Sequence, residues 1–423
     1  MTQASTGHHE NTSVNGEKDT NNANIGNGTR LPLRRSAFRA LVQDFGPLWF
    51  TWCMNAGVLA LLTHQCPYQF PGLGIISTIF YIFDLLLFIT FSIIFILRFT
   101  IFRLDAYNEI VSSQADLALC GCWPIAFLTL TSLTPLICSN AYWGRHAFTI
   151  LGYVMWWIAA TWSLVVLFWV FITLIRRHEA SSVRLPMMVI IPAVSVSTVA
   201  VTGGVVVSDS YEISARLAVP VIIVSFMMVG LGILLGLILS TYLFHQLLAL
   251  GWPPAAQTAS LFIFVGPMGQ SAAALQQLGA AARMYGKFAG YNKGTFLTAE
   301  AAAPLDVACI LIALMLTGLG IVWSLLSVYA MIECAWKKEL SWNPGWNAII
   351  FPMGTLFTST TLFAVSMDSP AWRVVTAGGI ITLAVVFLVN LSFALTWIVQ
   401  GKLLIVREDP RVKKMMEEEQ KGR

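Results

Sequence analysis

The sequence predicts an all-α integral membrane protein with ten transmembrane helices, and three observations support that fold class. The chain is 57% hydrophobic and 11% charged, whereas a typical soluble chain carries roughly 25% charged residues. Ten apolar stretches follow one another after Asp44, each near the ~20 residues that a membrane crossing requires. These stretches are continuous rather than alternating, and they are longer than the ~10-residue strands of a membrane barrel.

The ten predicted segments fill almost all of the transport domain that we assign to residues 39–406. Residues 1–38 are rich in Asn, Thr, Gly and charge and contain no apolar run, which predicts a disordered tail and no signal peptide. Residues 407–423 form a second charged tail. In chain order, segments 1 to 10 are predicted at 46–63, 75–97, 119–139, 148–175, 185–207, 213–248, 260–282, 307–332, 345–365 and 374–405.

The distribution of basic residues predicts the orientation of the chain. An even number of segments places both termini on one side, and that side then carries nineteen of the 25 Lys and Arg. Because cytoplasmic loops and tails are enriched in Lys and Arg, we expect both termini in the cytoplasm. The inference depends on the two basic tails, since the loops alone divide almost evenly.

The seven cysteines indicate neither a disulfide framework nor a metal site. Their number is odd and most of them fall inside predicted segments, which is typical of small buried apolar residues. Cys120 and Cys122 form a close pair, but a zinc site would need a second pair of ligands elsewhere. We therefore expect no metal and no cofactor.

Prolines repeat along the chain with a period close to one helical hairpin. Most of those within segments lie in the odd-numbered segments, and Pro220 in segment 6 is the exception among the even ones. A proline in a membrane helix is tolerated where protein or a water-filled cavity surrounds it. We therefore expect the odd segments to be bent and to surround a central space, with the even segments facing lipid. The repeated prolines are Pro47, Pro124, Pro192, Pro267 and Pro352.

Small and hydroxyl-bearing residues are concentrated in the same odd segments. A pore lining accounts for them, and so does close packing between helices; the sequence leaves both explanations open. Candidates for the pore or substrate path on this ground are Thr51, Asn55, Ser132, Thr198, Gln270, Ser271 and Thr358.

The charge of this lining favours an anion as the solute. No Lys, Arg, Asp or Glu falls at the centre of an odd segment. A cation pathway typically shows acidic rings, whereas hydroxyls, amides and half-helix dipoles can hold an anion weakly enough to release it. Asp84 lies at mid-depth in segment 2 and Asp306 at the start of segment 8. An intramembrane acid is a candidate functional group, so Asp84 has either a role in coupling or an interhelical hydrogen bond, and Asp306 is expected to be structural.

Two odd segments share a phrase. Residues 264–271 read Phe-Val-Gly-Pro-Met-Gly-Gln-Ser, and residues 351–355 read Phe-Pro-Met-Gly-Thr after Trp346. These phrases resemble the tellurite-resistance/dicarboxylate transporter family, which includes the plant slow anion channels and fungal malate permeases. The first phrase is most similar to that of the fungal sulfite efflux pumps within the family. Residues 54–57, Met-Asn-Ala-Gly, depart from the family's usual Met-Gly-Thr-Gly, which makes Asn55 a candidate selectivity residue.

The resemblance implies five helical hairpins around a pseudo-fivefold pore, assembled as a homotrimer with one pore per subunit. It also implies export of sulfite or a related small anion across a fungal plasma membrane. The family's gating phenylalanine lies beside a proline of the ninth helix, which corresponds to Phe351 here. Phe264 and Thr355, which belong to the two phrases, join the candidates for the substrate path.

Two alternatives belong to other functions. A dicarboxylate permease of the same family would be expected to carry a strong cation for the second carboxylate, and the odd segments show none. A membrane haem enzyme would need depth-matched pairs of histidines inside helices, but His64, His146, His178 and His245 lie at helix ends or in loops. We therefore expect a transporter in contact with membrane lipid, not an enzyme and not a nucleic-acid-binding protein.

Overall fold

The computed structural model describes residues 34–177 and 184–403. Within these ranges the chain is helical, without a strand beyond an isolated bridge between Lys293 and Leu297. This confirms the predicted all-α fold class. The C-terminal tail at 407–423 and most of the predicted N-terminal tail lie outside the described residues, and a helix, Arg34–Asp44, begins within the latter.

A helix covers each of the ten predicted segments. Segment 1 is the shortest, a 3₁₀ turn at Pro47–Trp49 followed by the α-helix Phe50–His64. In the described part of the chain, nine helices are long and apolar enough to cross a membrane, so the count of ten crossings stays a prediction. Those nine, segments 2 to 10, are Leu73–Ser112, Gln114–Ser139, Arg145–Arg177, Met187–Asp209, Ala215–Leu250, Ala255–Arg283, Ala299–Trp336, Pro344–Ser366 and Pro370–Val399.

Burial alternates along the chain. In the most apolar stretch of each of segments 3, 5, 7 and 9, 67–100% of the residues are buried, against 11–39% in the even segments. In the α-helix of segment 1, only Leu61 and His64 are not buried. The odd segments therefore form the centre of the molecule and the even segments its periphery, as the proline pattern predicts.

The repeated prolines lie where α-helices begin. Pro192 is the second residue of the α-helix Ile191–Asp209, and a 3₁₀ turn at Met187–Ile190 precedes it. Pro124, Pro267 and Pro352 are each the third residue of an α-helix, and Pro47 starts the 3₁₀ turn of segment 1. The first turn of a helix has no internal partner for its amide hydrogens, so proline costs little there. A 3₁₀ turn precedes the α-helix in segments 1, 5, 7 and 9, whereas in segment 3 the preceding element is the short α-helix Gln114–Leu119. The kinks expected at these prolines stay a prediction.

Two peripheral segments differ from the sequence-based expectation. Segment 8 begins at Ala299, earlier than predicted, and therefore contains Pro304, which the predicted bounds had left outside the segment. Segment 2 is interrupted at Arg103, whose φ of 37° is not helical. Beyond this break the chain turns so that the Glu109 carboxylate meets the buried Arg98 guanidinium at 2.8 Å.

Candidate functional site

The five odd segments enclose two small cavities at the centre of the molecule. We name them the helix-start cavity, of about 50 Å³, and the mid-helix cavity, of about 30 Å³. The helix-start cavity is lined by Leu48, Thr51, Met54, Asn55, Leu119, Cys122, Ile125, Met188, Ile191, Val194, Ile263, Gly345, Asn347, Ala348, Phe351 and Pro352. The mid-helix cavity is lined by Gly57, Val58, Leu61, Leu128, Thr129, Ser132, Thr198, Val201, Thr202, Gln270, Phe351, Thr355 and Thr358.

The odd segments run in one direction past the two cavities. In segments 1, 3, 5 and 7, every residue that lines the helix-start cavity precedes those that line the mid-helix cavity, and segment 9 follows the same order around Phe351. The N-terminal ends of the five helices are thus gathered at the helix-start cavity. Because a helix N-terminus carries a partial positive charge, this end of the central space favours an anion without any basic side chain.

Phe351 lies between the two cavities. Among the described residues, it alone lines both of them, and only 4% of its surface is exposed. Pro352, its neighbour in the first turn of the α-helix, lines the helix-start cavity beside it. The aromatic ring therefore occupies the boundary that a solute moving from one cavity to the other would have to cross.

Most predicted site residues line one of the cavities, and their hydroxyl groups bond to their own helices. Thr51 and Asn55 lie at the helix-start cavity; Ser132, Thr198, Gln270, Thr355 and Thr358 lie at the mid-helix cavity. Thr198 Oγ1 donates to the Val194 carbonyl at 2.8 Å, and Thr358 Oγ1 to that of Gly354 at 3.0 Å. A hydroxyl can rotate to donate elsewhere, so these residues present a polar but adjustable surface.

Two side-chain bonds tie the odd segments together at the mid-helix cavity. Ser132 Oγ, in segment 3, donates to Thr202 Oγ1 of segment 5 at 3.0 Å. Gln270 Nε2, in segment 7, donates to Thr198 Oγ1 of segment 5 at 3.2 Å. The wall of this cavity is therefore cross-linked by polar contacts in addition to helix packing.

Phe264 and Ser271 are placed differently from the prediction, because neither lines a central cavity. Phe264 is fully buried and stacks on Trp323, with ring centroids 4.5 Å apart. It faces a third, peripheral cavity of about 440 Å³ between segments 6, 7 and 8. Ser271 Oγ points toward Ser197 Oγ of segment 5 at 3.4 Å. The helical turn carries both side chains away from the central space.

Asp84 reaches from segment 2 toward the mid-helix cavity. Its side chain is fully buried, and its Oδ2 accepts a hydrogen bond of 2.9 Å from Thr129 Oγ1, a residue that lines that cavity. Gly57 allows this approach, since a Cβ there would lie 2.6 Å from Asp84 Oδ2. Asp84 Oδ1 has no partner among the described residues. Asp306 Oδ2, in contrast, lies 3.3 Å from Nη1 of Arg283, which is the last residue of segment 7.

Three polar lining residues escaped the sequence analysis: Thr129, Thr202 and Asn347. Asn347 lies in the 3₁₀ turn Pro344–Ala348, and its backbone oxygen accepts from Asn55 Nδ2 at 3.1 Å. Asn347 follows Trp346, which contributes to the family resemblance. This adjacency is the sequence feature that could have pointed to Asn347 as a lining residue.

The cavities are uncharged and narrow. Of the described residues that line them, none carries a formal charge. One water needs roughly 10–15 Å³ of such space, so the mid-helix cavity of about 30 Å³ has room for a few waters but not for a hydrated anion. The described residues also contain no group of three or more His, Cys, Asp or Glu arranged to hold a metal.

Comparison with known proteins agrees with this architecture. The family described as voltage-dependent anion channel matches residues 44–395. The sulfite efflux pump of Arthroderma benhamiae is 28% identical over 84% of this chain and 90% of that protein, and the one of Saccharomyces cerevisiae is 21% identical over 75% and 78%. A Schizosaccharomyces pombe protein that bears the name malic acid transport protein is 22% identical over 90% and 85%. The predicted family is confirmed: this chain belongs to the voltage-dependent anion channel family, whose members include anion transporters of fungi.

Proposed function

We propose that this anion transporter exports sulfite from the cytoplasm through a pore formed by the two central cavities, with Phe351 as the gate. The position of Phe351 as the one lining residue common to both cavities is the observation that carries the proposal. Its aromatic ring closes a passage too narrow for a hydrated anion, and a narrow apolar constriction closes by dewetting. Opening then requires the ring to turn away from the boundary.

The nature of the lining supports a small anion as the substrate. Five helix N-termini surround the helix-start cavity, and no charged side chain lines either cavity among the described residues. Such a site holds an anion by dipoles and amide or hydroxyl donors, weakly enough for release. The similarity to sulfite efflux pumps supports sulfite in particular.

Malate is the second candidate substrate, on the strength of the similarity to the Schizosaccharomyces pombe protein. A dicarboxylate carries a second charge, and neither cavity offers a cation to neutralise it. We therefore place malate behind sulfite. In line with the family resemblance, the proposed assembly is a homotrimer in the plasma membrane, with one pore in each subunit and the even segments facing lipid.

Flux measurements on the purified full-length chain test this proposal. Proteoliposomes loaded with sulfite should release it faster than protein-free liposomes do. Proteoliposomes loaded with malate should release it no faster than the protein-free controls. Deleting the gene in its host should raise the sensitivity of growth to sulfite. Release of malate with no release of sulfite would contradict the proposal, and so would unchanged sulfite tolerance in a host without another exporter.

A further inference from the structure

Two buried amide side chains in the lining of the helix-start cavity are hydrogen-bonded to each other. Asn55 is fully buried in segment 1, and Asn347 is 2% exposed at the start of segment 9. Asn55 Nδ2 donates to the backbone oxygen of Asn347 at 3.1 Å and to its Oδ1 at 3.2 Å. Because a backbone carbonyl can only accept a hydrogen bond, this contact fixes which end of the Asn55 amide is the nitrogen.

The fixed orientation leaves one acceptor and one donor of the pair unused. Asn55 Oδ1 has no donor among the described residues. Asn347 accepts through its Oδ1, and no hydrogen bond of the described residues starts from its Nδ2, which is not among the fully buried unpaired atoms. The other polar groups of this cavity are Thr51, whose hydroxyl donates to the Leu48 carbonyl at 2.6 Å, and the Cys122 thiol. The amide pair is thus the cavity's main free hydrogen-bonding surface.

An unused acceptor in an anion pathway discriminates between anions. A buried acceptor left without a donor is costly, and an anion that has no hydrogen to donate leaves Asn55 Oδ1 in that state. An oxyanion that keeps one proton can donate its O–H to Asn55 Oδ1 while one of its other oxygens accepts from Asn347 Nδ2. The pair can therefore bond to both the O–H donor and an acceptor oxygen of a protonated monoanion.

We propose that Asn55 and Asn347 select the protonated monoanionic form of an oxyanion, hydrogensulfite in the case of sulfite, over unprotonated anions of the same charge. This inference rests on the proposed function, because it names the chemical species that enters the pore. No proton is transferred: the anion arrives with its proton, donates a hydrogen bond and leaves with it. Cys122 is the one titratable group among the residues that line this cavity, so the pH dependence of recognition belongs to the substrate.

Chlorate is the matched probe for this selectivity. It is a pyramidal oxyanion with a single negative charge, like hydrogensulfite, but it carries no proton near neutral pH. The full-length chain is reconstituted into liposomes, and the initial fluxes of sulfite and chlorate are compared at one membrane potential after subtraction of the flux into protein-free liposomes. For the wild type, we expect the sulfite-to-chlorate ratio to exceed one.

The Asn55→Ala variant should lower this ratio by about tenfold, since it removes the acceptor that only the protonated anion uses. Asn390→Ala is the control. Asn390 is also fully buried, in segment 10, where its Oδ1 accepts from Trp342 Nε1 at 3.1 Å and its Nδ2 lacks a partner among the described residues. The control variant removes the same chemical group at a residue that lines neither cavity. It should therefore leave the sulfite-to-chlorate ratio unchanged.

A second measurement on the wild type alone covers the case in which Asn55→Ala does not fold. Between about pH 6 and pH 8, sulfite flux should rise as the pH falls and chlorate flux should stay constant, so that the chlorate flux controls for any titration of the protein's own groups. Sulfite flux that rises with pH, or an unchanged ratio in a folded Asn55→Ala variant, overturns the role of the amide pair and leaves sulfite export standing. A wild type that moves no sulfite overturns both proposals.

Discussion

Two phenylalanines in similar local sequences have different surroundings. Phe351 and Phe264 both precede a Pro-Met-Gly phrase, directly in the first case and after two intervening residues in the second. Phe351 lines both central cavities, whereas Phe264 stacks on Trp323 at the periphery. A difference of two positions rotates a helical side chain by more than half a turn. The two residues therefore serve as test and control for the gate.

We predict that Phe351→Ala raises the basal anion conductance several-fold, because it removes the ring that separates the two cavities. The fold should persist, since the space emptied adjoins existing cavities. Phe264→Ala instead removes the ring that stacks on Trp323 and should lower the free energy of unfolding by about 1 kcal/mol or more without raising conductance. Conductance in planar bilayers and thermal unfolding, each measured for both variants, test these two expectations. Wild-type conductance in a folded Phe351→Ala protein would refute the gate.

A second residue-scale prediction concerns Asp84. Asn at this position can still accept the hydrogen bond from Thr129 Oγ1, so Asp84→Asn should fold and should change only what depends on the carboxyl group. If Asp84 takes part in coupling, the variant should alter the pH dependence of flux. Asp306→Asn is the comparison, because Asp306 pairs with Arg283 away from both cavities.

Flux measured across a pH series, with and without a proton gradient, tests the Asp84 prediction. Loss of flux together with loss of folded protein would show that Asp84 is structural. An Asp84→Asn variant with the wild-type level and pH dependence of flux would contradict both roles.

At the scale of the helices, close contact between odd segments depends on glycine. Gly269 of segment 7 lies against segment 9, where a Cβ would meet Thr355 Oγ1 at 2.3 Å and the Leu356 backbone nitrogen at 2.7 Å. A backbone atom cannot move aside as a side-chain tip can. The phrase that carries the family resemblance is therefore also a packing requirement, which accounts for part of the small-residue content of the odd segments.

We predict that Gly269→Ala destabilises the protein by about 1–3 kcal/mol, the usual cost of an overpacked core. Gly318→Ala is the matched control, since Gly318 lies in segment 8, where a Cβ would have no described atom within 4 Å, and alanine there should be neutral or stabilising by up to about 1 kcal/mol. Thermal unfolding in detergent compares the two. Equal stability of both variants would contradict this account of segment packing.

At the scale of the whole molecule, the basic tails bear on which end of the pore faces the cytoplasm. They predict that both termini are cytoplasmic, and segment 1 begins close to the helix-start cavity. In that orientation, the helix-start cavity with its five helix N-termini receives the anion from the cytoplasm. Export would then run from the dipole-rich end past Phe351 toward the mid-helix cavity.

We predict that protease added outside intact cells leaves both tails uncut, because the distribution of basic residues predicts a cytoplasmic location for each. The same protease should cut them after the cells are permeabilised, which serves as the control for accessibility. Epitope tags at each terminus and immunoblotting provide the measurement. Cleavage within residues 1–38 in intact cells would reverse the proposed topology and the direction assigned to the pore.

The membrane class, the helical fold and the division into inner and outer segments could be predicted from the sequence. Each of these depends on local composition. A membrane helix satisfies its own backbone hydrogen bonds, so a long apolar run is enough to predict it. Prolines and small residues in every second segment are likewise legible without knowledge of the contacts, and segments 3, 5, 7 and 9 are indeed the buried ones among the long helices.

Which face each helix turns inward depends on contacts between segments that are distant in the chain. The odd segments are buried on most sides, so their sequences carry little information about rotation, and Gln270 faces a cavity while the adjacent Ser271 faces segment 5. Nor does the proline pattern specify the 3₁₀ turns that precede the α-helices of segments 1, 5, 7 and 9. The pairing of Asn55 with Asn347 joins residues 292 positions apart, and such a contact exists only once the first and last odd segments have packed together.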